Sequence, residues 1–257
     1  MSIPKVIHYC WFGTKSLPLL EKNCIESWKK RLPDYELKLW NESSFDINSV
    51  LYVKQAYECK KFAFVSDYVR MYALYNYGGI YLDTDVEILQ PLDVFLENEI
   101  FMGFENKTML GTAIIGAIKN CLIFFEIMNH YHQHPFLDEK NRQDTTANPQ
   151  LLVNALLKQG FKKENSKQFI DNIHIYERDV FFPKKLDKGS FGTTERTVSI
   201  HHFSGSWLSE KDKIRGNSAF YRGFIRPPLK KLHSLLIKLL GEKRTKQLEI
   251  IVRNKLR

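Results

Sequence analysis

The sequence has no long apolar run and no paired-cysteine motif. No window approaches the roughly 18 consecutive apolar residues of a membrane-spanning helix, and the N-terminus lacks the basic stretch and apolar core of a secretory signal. The four cysteines are scattered, without the CxxC spacing of zinc or redox sites: Cys10, Cys24, Cys59 and Cys121. We therefore expect four buried, reduced thiols in a cytoplasmic protein.

Glycine-rich phosphate-binding motifs are also missing. The run GTAIIGA at 111–117 matches neither a Walker A nor a Rossmann pattern, and we find no internal repeat or low-complexity linker. Of the 257 residues, 44% are hydrophobic and 26% are charged, which is typical of a globular domain with a substantial core.

Positive charge is concentrated at one end of the chain. The net charge is +9, but residues 226–257 contain ten Lys/Arg and only two Asp/Glu, so residues 1–225 are nearly neutral. This distribution argues against a nucleic-acid-binding domain. The break at Arg226-Pro227-Pro228 predicts a domain over 1–225 and a basic segment over 226–257.

The basic segment has the leucine spacing of an amphipathic helix, with a break predicted at Gly241. Such a segment either packs on the domain as a helical hairpin or lies on an anionic membrane surface. The concentrated positive charge favours the membrane. We therefore predict a cytoplasmic protein that associates peripherally with the inner face of the cell membrane.

Short apolar strands alternate with helical patterns along residues 1–225, which predicts an α/β fold. The predicted strands cover 5–12, 35–40, 80–82, 86–89, 100–105, 111–117 and 198–203. The predicted helices cover 19–31, 61–77, 122–132 and 150–159.

The most informative block is VSDYVRMYALYNYGGIYLDTD, at 65–85. Asp83 and Asp85 follow a short apolar strand, and their spacing on an extended segment directs both carboxylates to one side. Two such aspartates are common in turns, where each caps local backbone. Because ligands of open α/β sheets bind beyond the carboxyl ends of strands, we favour a site for Mg²⁺ or Mn²⁺ that also binds a diphosphate.

Asp67 and Arg70 lie three residues apart on the preceding helix, so they share one face. A solvent-exposed ion pair is the simplest interpretation. However, their stripe also contains apolar residues, which favours an inward-facing pair that binds a diphosphate or sugar hydroxyls.

Two further segments are candidates for the same site. In His201-His202, alternation on a strand lets only one histidine face the site, and we select His202 as a metal ligand, with Ser204 or Ser206 offering a hydroxyl. Trp11, after the first strand, either stacks on a nucleobase or packs in the core. Trp207 either packs in the core or closes over a bound nucleotide.

Together, IPKVIHYCWFG, the block extending through DVEILQPLD, and HHFSGSW resemble the DXD-containing glycosyltransferases of family 32. This family includes bacterial capsular and lipopolysaccharide transferases and fungal mannosyltransferases. The resemblance covers residues 3 to about 207. It implies a GT-A fold, Rossmann-like and typical of nucleotide-diphospho-sugar transferases, with a divalent metal, a nucleotide-sugar donor and retention of anomeric configuration.

The resemblance also implies roles for individual residues. Asp83 and Asp85 correspond to the DXD pair, and Asp67 and Arg70 would hold the donor sugar. His202 would be the late metal ligand. Residues implied to contact the donor are Trp11, Tyr81, Asp83, Ser206 and Trp207. Gly205 departs from the toxin branch of the family, which has serine two residues before the tryptophan.

The function predicted from these features is metal-dependent, retaining transfer of a hexose in surface polysaccharide assembly. By family association, the donor is UDP-galactose or UDP-glucose, and the acceptor is a carbohydrate or lipid-linked oligosaccharide. No residue in the motifs is an evident nucleophile, which favours front-side attack. One alternative is a metal-dependent nucleotide-sugar phosphohydrolase, which would require more clustered acidic residues. The other is a non-catalytic binding module, which would be expected to lack Asp83, Asp85 or Arg70.

Overall fold

The structure is a computed structural model that describes residues 2–186 and 190–205, and residues 232, 234–237, 239–241, 244–245 and 248. The chain up to Ser204 forms one compact unit, and the chain from Gly205 onward forms a second. The predicted boundary at 225/226 lies outside the described residues and stays a prediction.

The first unit contains nine strands and six α-helices among its described residues. The strands are β1 (Val6–Cys10), β2 (Glu36–Trp40), β3 (Gly79–Leu82), β4 (Val86–Ile88), β5 (Ile100–Phe104), β6 (Leu110–Ala117), β7 (Gln168–Ile170), β8 (Ile173–Tyr176) and β9 (Ser199–His201). The helices are α1 (Leu19–Arg31), α2 (Leu51–Glu58), α3 (Phe62–Tyr77), α4 (Leu122–Gln133), α5 (Asn148–Leu157) and α6 (Arg178–Phe181). The predicted α/β class is confirmed.

The main sheet has seven strands in the order β2-β1-β3-β6-β5-β8-β7. β1 is parallel to β2 and β3, β5 is parallel to β8, and β6 is antiparallel to both of its neighbours. Consequently β1, β3, β5 and β8 run in the same direction, and their carboxyl ends share one side of the sheet. We call this side the carboxyl edge; the residues that follow these strands there are Trp11, Asp83, Glu105 and Glu177.

Apolar layers cover both faces of this sheet. α2 to α5 contribute to the core on one face, whereas α1 and α6 contribute to the core on the other. Within β3, Tyr81 belongs to the first core and Ile80 and Leu82 to the second, as strand alternation requires.

The turn between α3 and β3 depends on two glycines. Gly78 and Gly79 have φ of 66° and 99°, and a Cβ on Gly79 would lie 2.6 Å from the carbonyl oxygen of Val6. Gly78 is also fixed by His8, whose Nε2 lies 2.7 Å from the Gly78 carbonyl oxygen and whose Nδ1 accepts a hydrogen bond from Trp40 Nε1 at 3.1 Å. Glycine at both positions therefore lets α3 end directly above the strand that leads to Asp83.

β4 and β9 form a separate two-stranded antiparallel sheet in which Val86 lies opposite His201. α1 supports this sheet, since Trp28 Nε1 donates to the Val86 carbonyl oxygen at 2.6 Å and Ser27 Oγ accepts from the Ile88 amide at 2.9 Å. The pairing places His201, near the C-terminal end of the first unit, opposite Val86, the residue that follows Asp85.

The sequence patterns missed α2, α6, β7 and β8, and the thiols are less buried than expected. Cys10 and Cys24 are buried, whereas Cys59 and Cys121 are half-buried; all four are free. The described residues between 232 and 248 are helical, and Gly241 has a φ of 77°. Within the described part of the chain, no helix has the length and apolar character needed to cross a membrane.

Candidate functional site

Asp83, Asp85 and His201 form a compact cluster at the carboxyl edge. One carboxylate oxygen from each aspartate and one imidazole nitrogen all lie within 4.8 Å of one another. Asp83 follows β3 and donates its amide to the Ala113 carbonyl oxygen at 2.9 Å. His201 joins the cluster because β9 pairs with β4, the strand that follows Asp85.

Asp85 is held by two donors. His201 Nε2 lies 3.3 Å from Oδ1, and the Ser204 amide donates to Oδ2 at 2.8 Å. Burial tends to raise the pKa of Asp85, but the contacts with His201 and Ser204 outweigh it and lower this pKa to about 2. Burial likewise tends to lower the pKa of His201, but Asp85 outweighs it and raises that pKa. Each member of the pair therefore favours the charged form of the other.

The chemistry of this donor set fits a divalent cation. Carboxylate oxygens bind Mg²⁺ and Mn²⁺, and the imidazole nitrogen makes the set better suited to Mn²⁺ than an all-oxygen site would be. Among the described residues, the buried His201 Nδ1 has no hydrogen-bond partner, and the polar contact of the ring is the one with Asp85. The ring is thus free to exchange its proton for a metal ion at Nε2.

Arg70 organises a second group of polar residues behind the cluster. Its Nη2 donates to Asp83 Oδ1 at 2.9 Å and lies 3.5 Å from Asp67 Oδ1, while Nη1 donates to the Thr112 carbonyl oxygen at 2.8 Å. The guanidinium also lies over the Tyr81 ring, with Cζ 4.5 Å from its centroid. The Arg70 side chain is only 5% exposed, so the predicted inward orientation is confirmed.

Asp67 lies beside this group but is less strongly held. Burial raises its pKa to about 6, and the attraction of Arg70 only partly opposes this effect. Its backbone carbonyl accepts from Asn148 Nδ2 at 2.8 Å, which fixes α3 against α5. The structure thus brings Asp67, Arg70 and Asp83 together, as the sequence predicted, while their contacts with a donor stay predictions.

Two predicted site residues are placed differently from expectation. His202 does not join the cluster: its Nε2 lies 2.9 Å from Glu87 Oε2, because alternation at the end of β9 turns His201 toward Asp85 instead. Tyr81 is 1% exposed, and its hydroxyl donates to Asp83 Oδ1 at 3.0 Å. Tyr81 therefore positions Asp83 and is too buried to contact a donor directly.

Trp11 lies at the carboxyl edge beside β3, on the loop that follows β1. Its Nε1 donates to the Lys15 carbonyl oxygen at 2.6 Å, and Glu42 fixes the loop by accepting from the Gly13 amide at 2.6 Å. The Trp11 ring is half-buried and stacks on no aromatic ring of the described residues. Base stacking stays a prediction, and Ser206 and Trp207 lie outside the described residues.

Sequence patterns missed three residues of the site: His201, Thr112 and Glu105. Thr112 holds Arg70 from β6, and Glu105 follows β5 at the carboxyl edge. An acidic residue directly after a buried strand was the available signal for Glu105, as it was for Asp83. Thr112 has no comparable signal, because its role depends on the pairing of β6 with β3.

Comparison with known proteins agrees with this geometry. The model of a family described as "Glycosyltransferase sugar-binding region containing DXD motif" matches residues 18–102, which include α3, β3 and both aspartates. Inositol phosphoceramide mannosyltransferase 3 of Schizosaccharomyces pombe is 28% identical over 52% of this chain and 39% of its own length. Mannosyl phosphorylinositol ceramide synthase CSH1 of Saccharomyces cerevisiae is 24% identical over 65% of this chain and 45% of its own length.

These curated relatives are fungal mannosyltransferases, whereas the sequence resemblance also pointed to capsular and lipopolysaccharide transferases. The aligned region spans less than half of each relative's length.

Solved structures of glycosyltransferases align with part of this chain. The PaToxG glycosyltransferase aligns with a TM-score of 0.47 and 22% identity, over 61% of this chain and 69% of its own. The galactosyltransferase LgtC aligns with a TM-score of 0.43 and 11% identity, over 78% of this chain and 87% of its own. At TM-scores below 0.5, neither alignment locates a ligand or a catalytic residue in this chain. The DXD segment itself is what this chain shares with the glycosyltransferase family model.

Proposed function

We propose that this chain is a metal-dependent glycosyltransferase that moves a hexose from a nucleotide-sugar donor to a hydroxyl acceptor. The observation that carries this proposal is the cluster of Asp83, Asp85 and His201 at the carboxyl edge, backed by the buried Arg70. Its position within a segment matched by a DXD glycosyltransferase family supports the same activity.

In this proposal, Asp83, Asp85 and His201 hold the divalent cation, for which Mn²⁺ is preferred over Mg²⁺. A bound cation supplies positive charge that stabilises a departing nucleoside diphosphate. Arg70 fixes Asp83 in position through a hydrogen bond from Nη2, and Tyr81 holds the same carboxylate from the strand. Asp67 offers a carboxylate to hydroxyl groups of the donor sugar, and Trp11 offers a ring to the base.

The donor sugar is proposed to be a hexose transferred with retention by front-side attack. Family resemblance favours UDP-glucose or UDP-galactose, whereas the names of the fungal relatives favour a mannosyl donor. A screen of UDP-glucose, UDP-galactose and GDP-mannose with Mn²⁺ by thermal shift separates these choices, since a bound ligand raises the apparent stability. Failure of all three to shift the melting temperature would contradict the proposed donor class.

Asp85→Asn tests the metal role directly. The amide keeps the size of the side chain and its ability to accept from the Ser204 amide, but it removes the charge that attracts a cation. We expect metal-dependent turnover of the preferred donor to fall by more than about 100-fold in a variant that still folds, although the lost charge should lower its unfolding midpoint. Retained activity in a folded Asp85→Asn variant would remove Asp85 from the metal site. Because a phosphohydrolase would also lose turnover, a glycosylated product must be detected in the wild type.

The acceptor is proposed to be lipid-linked, with the enzyme on the cytoplasmic face of the cell membrane. Two features support this proposal: the charge imbalance of residues 226–257, and the exposure of Leu232, Leu235 and Leu239, which are each more than half exposed. Both curated relatives are also named for a ceramide-based lipid. An apolar stripe flanked by lysines fits an anionic lipid surface.

Flotation with phosphatidylserine-containing vesicles tests this second proposal. The full chain should float at low salt and dissociate as salt rises, because exposed charges are screened. A chain ending at residue 225 is the matched control, and it should stay at the bottom of the gradient. Equal flotation of the two chains would contradict a membrane role for the segment.

A further inference from the structure

Glu105 is a carboxylate at the carboxyl edge that none of the described residues satisfies. It directly follows β5, and its amide donates to the Met109 carbonyl oxygen at 3.0 Å, which fixes the backbone at this point. The half-buried side chain makes no hydrogen bond and no ion pair with any residue in the described part of the chain. Because a partly desolvated carboxylate is unfavourable without donors, its oxygens are suited to a ligand that supplies them.

The surroundings of Glu105 connect it to the proposed site. Burial raises the pKa of its carboxyl, His201 acts to lower it, and Asp83 acts to raise it, with smaller lowering effects from Arg178 and Arg70. Glu105 is therefore close enough to His201 and Asp83 to share their electrostatic field. It nevertheless lies outside the cluster of three potential metal ligands.

The strand order places Glu105 on one side of the cluster and Trp11 on the other. Along the carboxyl edge, β1 is next to β3, and β6 separates β3 from β5. Neighbouring strands lie about 4.8 Å apart, so the ends of β3 and β5 are roughly 10 Å apart. A nucleotide sugar with its base at Trp11 and its diphosphate at the cluster would thus extend its sugar toward β5.

We propose that Glu105 binds the transferred sugar, by accepting a hydrogen bond from one of its hydroxyl groups. This inference rests on the proposed function, because it requires a nucleotide-sugar donor in the site. A hydroxyl donor suits a partly buried carboxylate that has no partner within residues 2–186 and 190–205, and such charge-assisted hydrogen bonds are stronger than neutral ones. The nucleoside diphosphate alone has no sugar at this position, so Glu105 should distinguish the two ligands.

The test compares binding of the preferred nucleotide sugar with binding of its nucleoside diphosphate, both with Mn²⁺, by titration calorimetry. The donor is chosen from UDP-glucose, UDP-galactose and GDP-mannose with the wild-type chain. Glu105→Gln should weaken the nucleotide sugar by about 10-fold or more and the nucleoside diphosphate by less than about 2-fold. Glu126→Gln, an exposed carboxylate on α4, is the matched control and should change neither value.

A stability measurement separates a binding role from a structural one. Since burial raises the pKa of Glu105, its ionised form is disfavoured in the folded chain. The ligand-free Glu105→Gln variant should therefore melt at the same temperature as the wild type or higher. A lower melting temperature with equal weakening of both ligands would overturn the proposal in favour of a structural role.

Three other outcomes would also overturn it. Unchanged affinity for both ligands would remove Glu105 from the sugar site. Unchanged affinity with loss of donor hydrolysis would instead make Glu105 a nucleophile or a base. If the wild-type chain binds none of the three nucleotide sugars with Mn²⁺, the proposed function itself is wrong. The proposed role of Glu105 is then wrong as well.

Discussion

Two groups of carboxylates meet at the carboxyl edge, and they differ in the cation that neutralises them. In the inner group, Asp67 and Asp83 face Arg70, which is permanently charged and almost fully buried. In the outer group, Asp85 faces His201, which can lose its proton. The inner group thus contains a permanent cation, whereas the outer group has a positive partner that a metal ion can replace.

This difference suggests a division of labour. The guanidinium of Arg70 donates to Asp83 and to the Thr112 carbonyl oxygen, and the Tyr81 hydroxyl donates to the same Asp83 carboxylate. The contact between His201 and Asp85 is longer, at 3.3 Å, and no second polar partner of His201 is present in the part of the chain that the structure describes. We therefore expect damage to the inner group to unfold the protein and damage to the outer group mainly to impair metal binding.

The substitution Arg70→Ala should cause the largest loss of unfolding free energy. It leaves two carboxylates in a largely buried site without their cation, and breaking a buried pair in this way costs about 3–5 kcal/mol of unfolding free energy. Urea denaturation measures this loss. Arg196→Ala is the matched control, since Arg196 also contacts two acids, Asp179 and Glu177, but is 58% exposed.

The Arg196→Ala variant should lose much less stability, because solvent screens exposed ion pairs. Similar losses for the two variants would mean that Arg70 does not hold the inner group together, and the comparison between the two groups would fail.

Protonation of His8 should cause a smaller loss of stability. His8 supports the glycine turn before Asp83. Burial lowers the pKa of His8 to about 4, the hydrogen bond to Gly78 opposes this shift, and Lys38 adds to it. The unfolded chain binds this proton near pH 6.5. Stability should therefore fall as the pH decreases from about 6.5 to 4, by roughly 3 kcal/mol in total.

Equilibrium unfolding across this pH range measures the slope, and His8→Gln provides the reference without a titrating side chain. The contribution of His8 is the difference between the two slopes. An equal slope in both proteins would show that His8 takes up its proton in the folded chain, and that it is not locked between Trp40 and Gly78 as a neutral ring.

Local pattern was sufficient to predict much of this architecture. The limits of α3 and β3 follow from apolar periodicity and the Gly78-Gly79 pair. Asp67, Arg70, Asp83 and Asp85 lie in one continuous block, so their proximity follows from a single helix–turn–strand unit. The α/β class follows from alternation of the same kind along the chain.

What local pattern could not supply is long-range pairing. The small sheet of β4 and β9 joins residues more than one hundred positions apart, and no periodic pattern in the sequence predicts this pairing. Thr112 and Glu105 enter the site because β6 lies between β3 and β5, an order that crosses the sequence. The choice between two adjacent histidines depends on the register of β9 against β4.

Replacing each of those histidines in turn gives the smallest effect and the sharpest comparison. His201→Ala should weaken Mn²⁺ binding, measured with the preferred donor present, by about 10- to 100-fold, because it removes a ligand but leaves both aspartates. His202→Ala removes a contact with Glu87 and should change Mn²⁺ binding by less than about 3-fold. The reverse result would place His202 at the metal and require a different pairing of β9. If both variants bound Mn²⁺ much more weakly, His202 and its partner Glu87 would also belong to the outer group. The two histidines would then share the role of positive partner to Asp85.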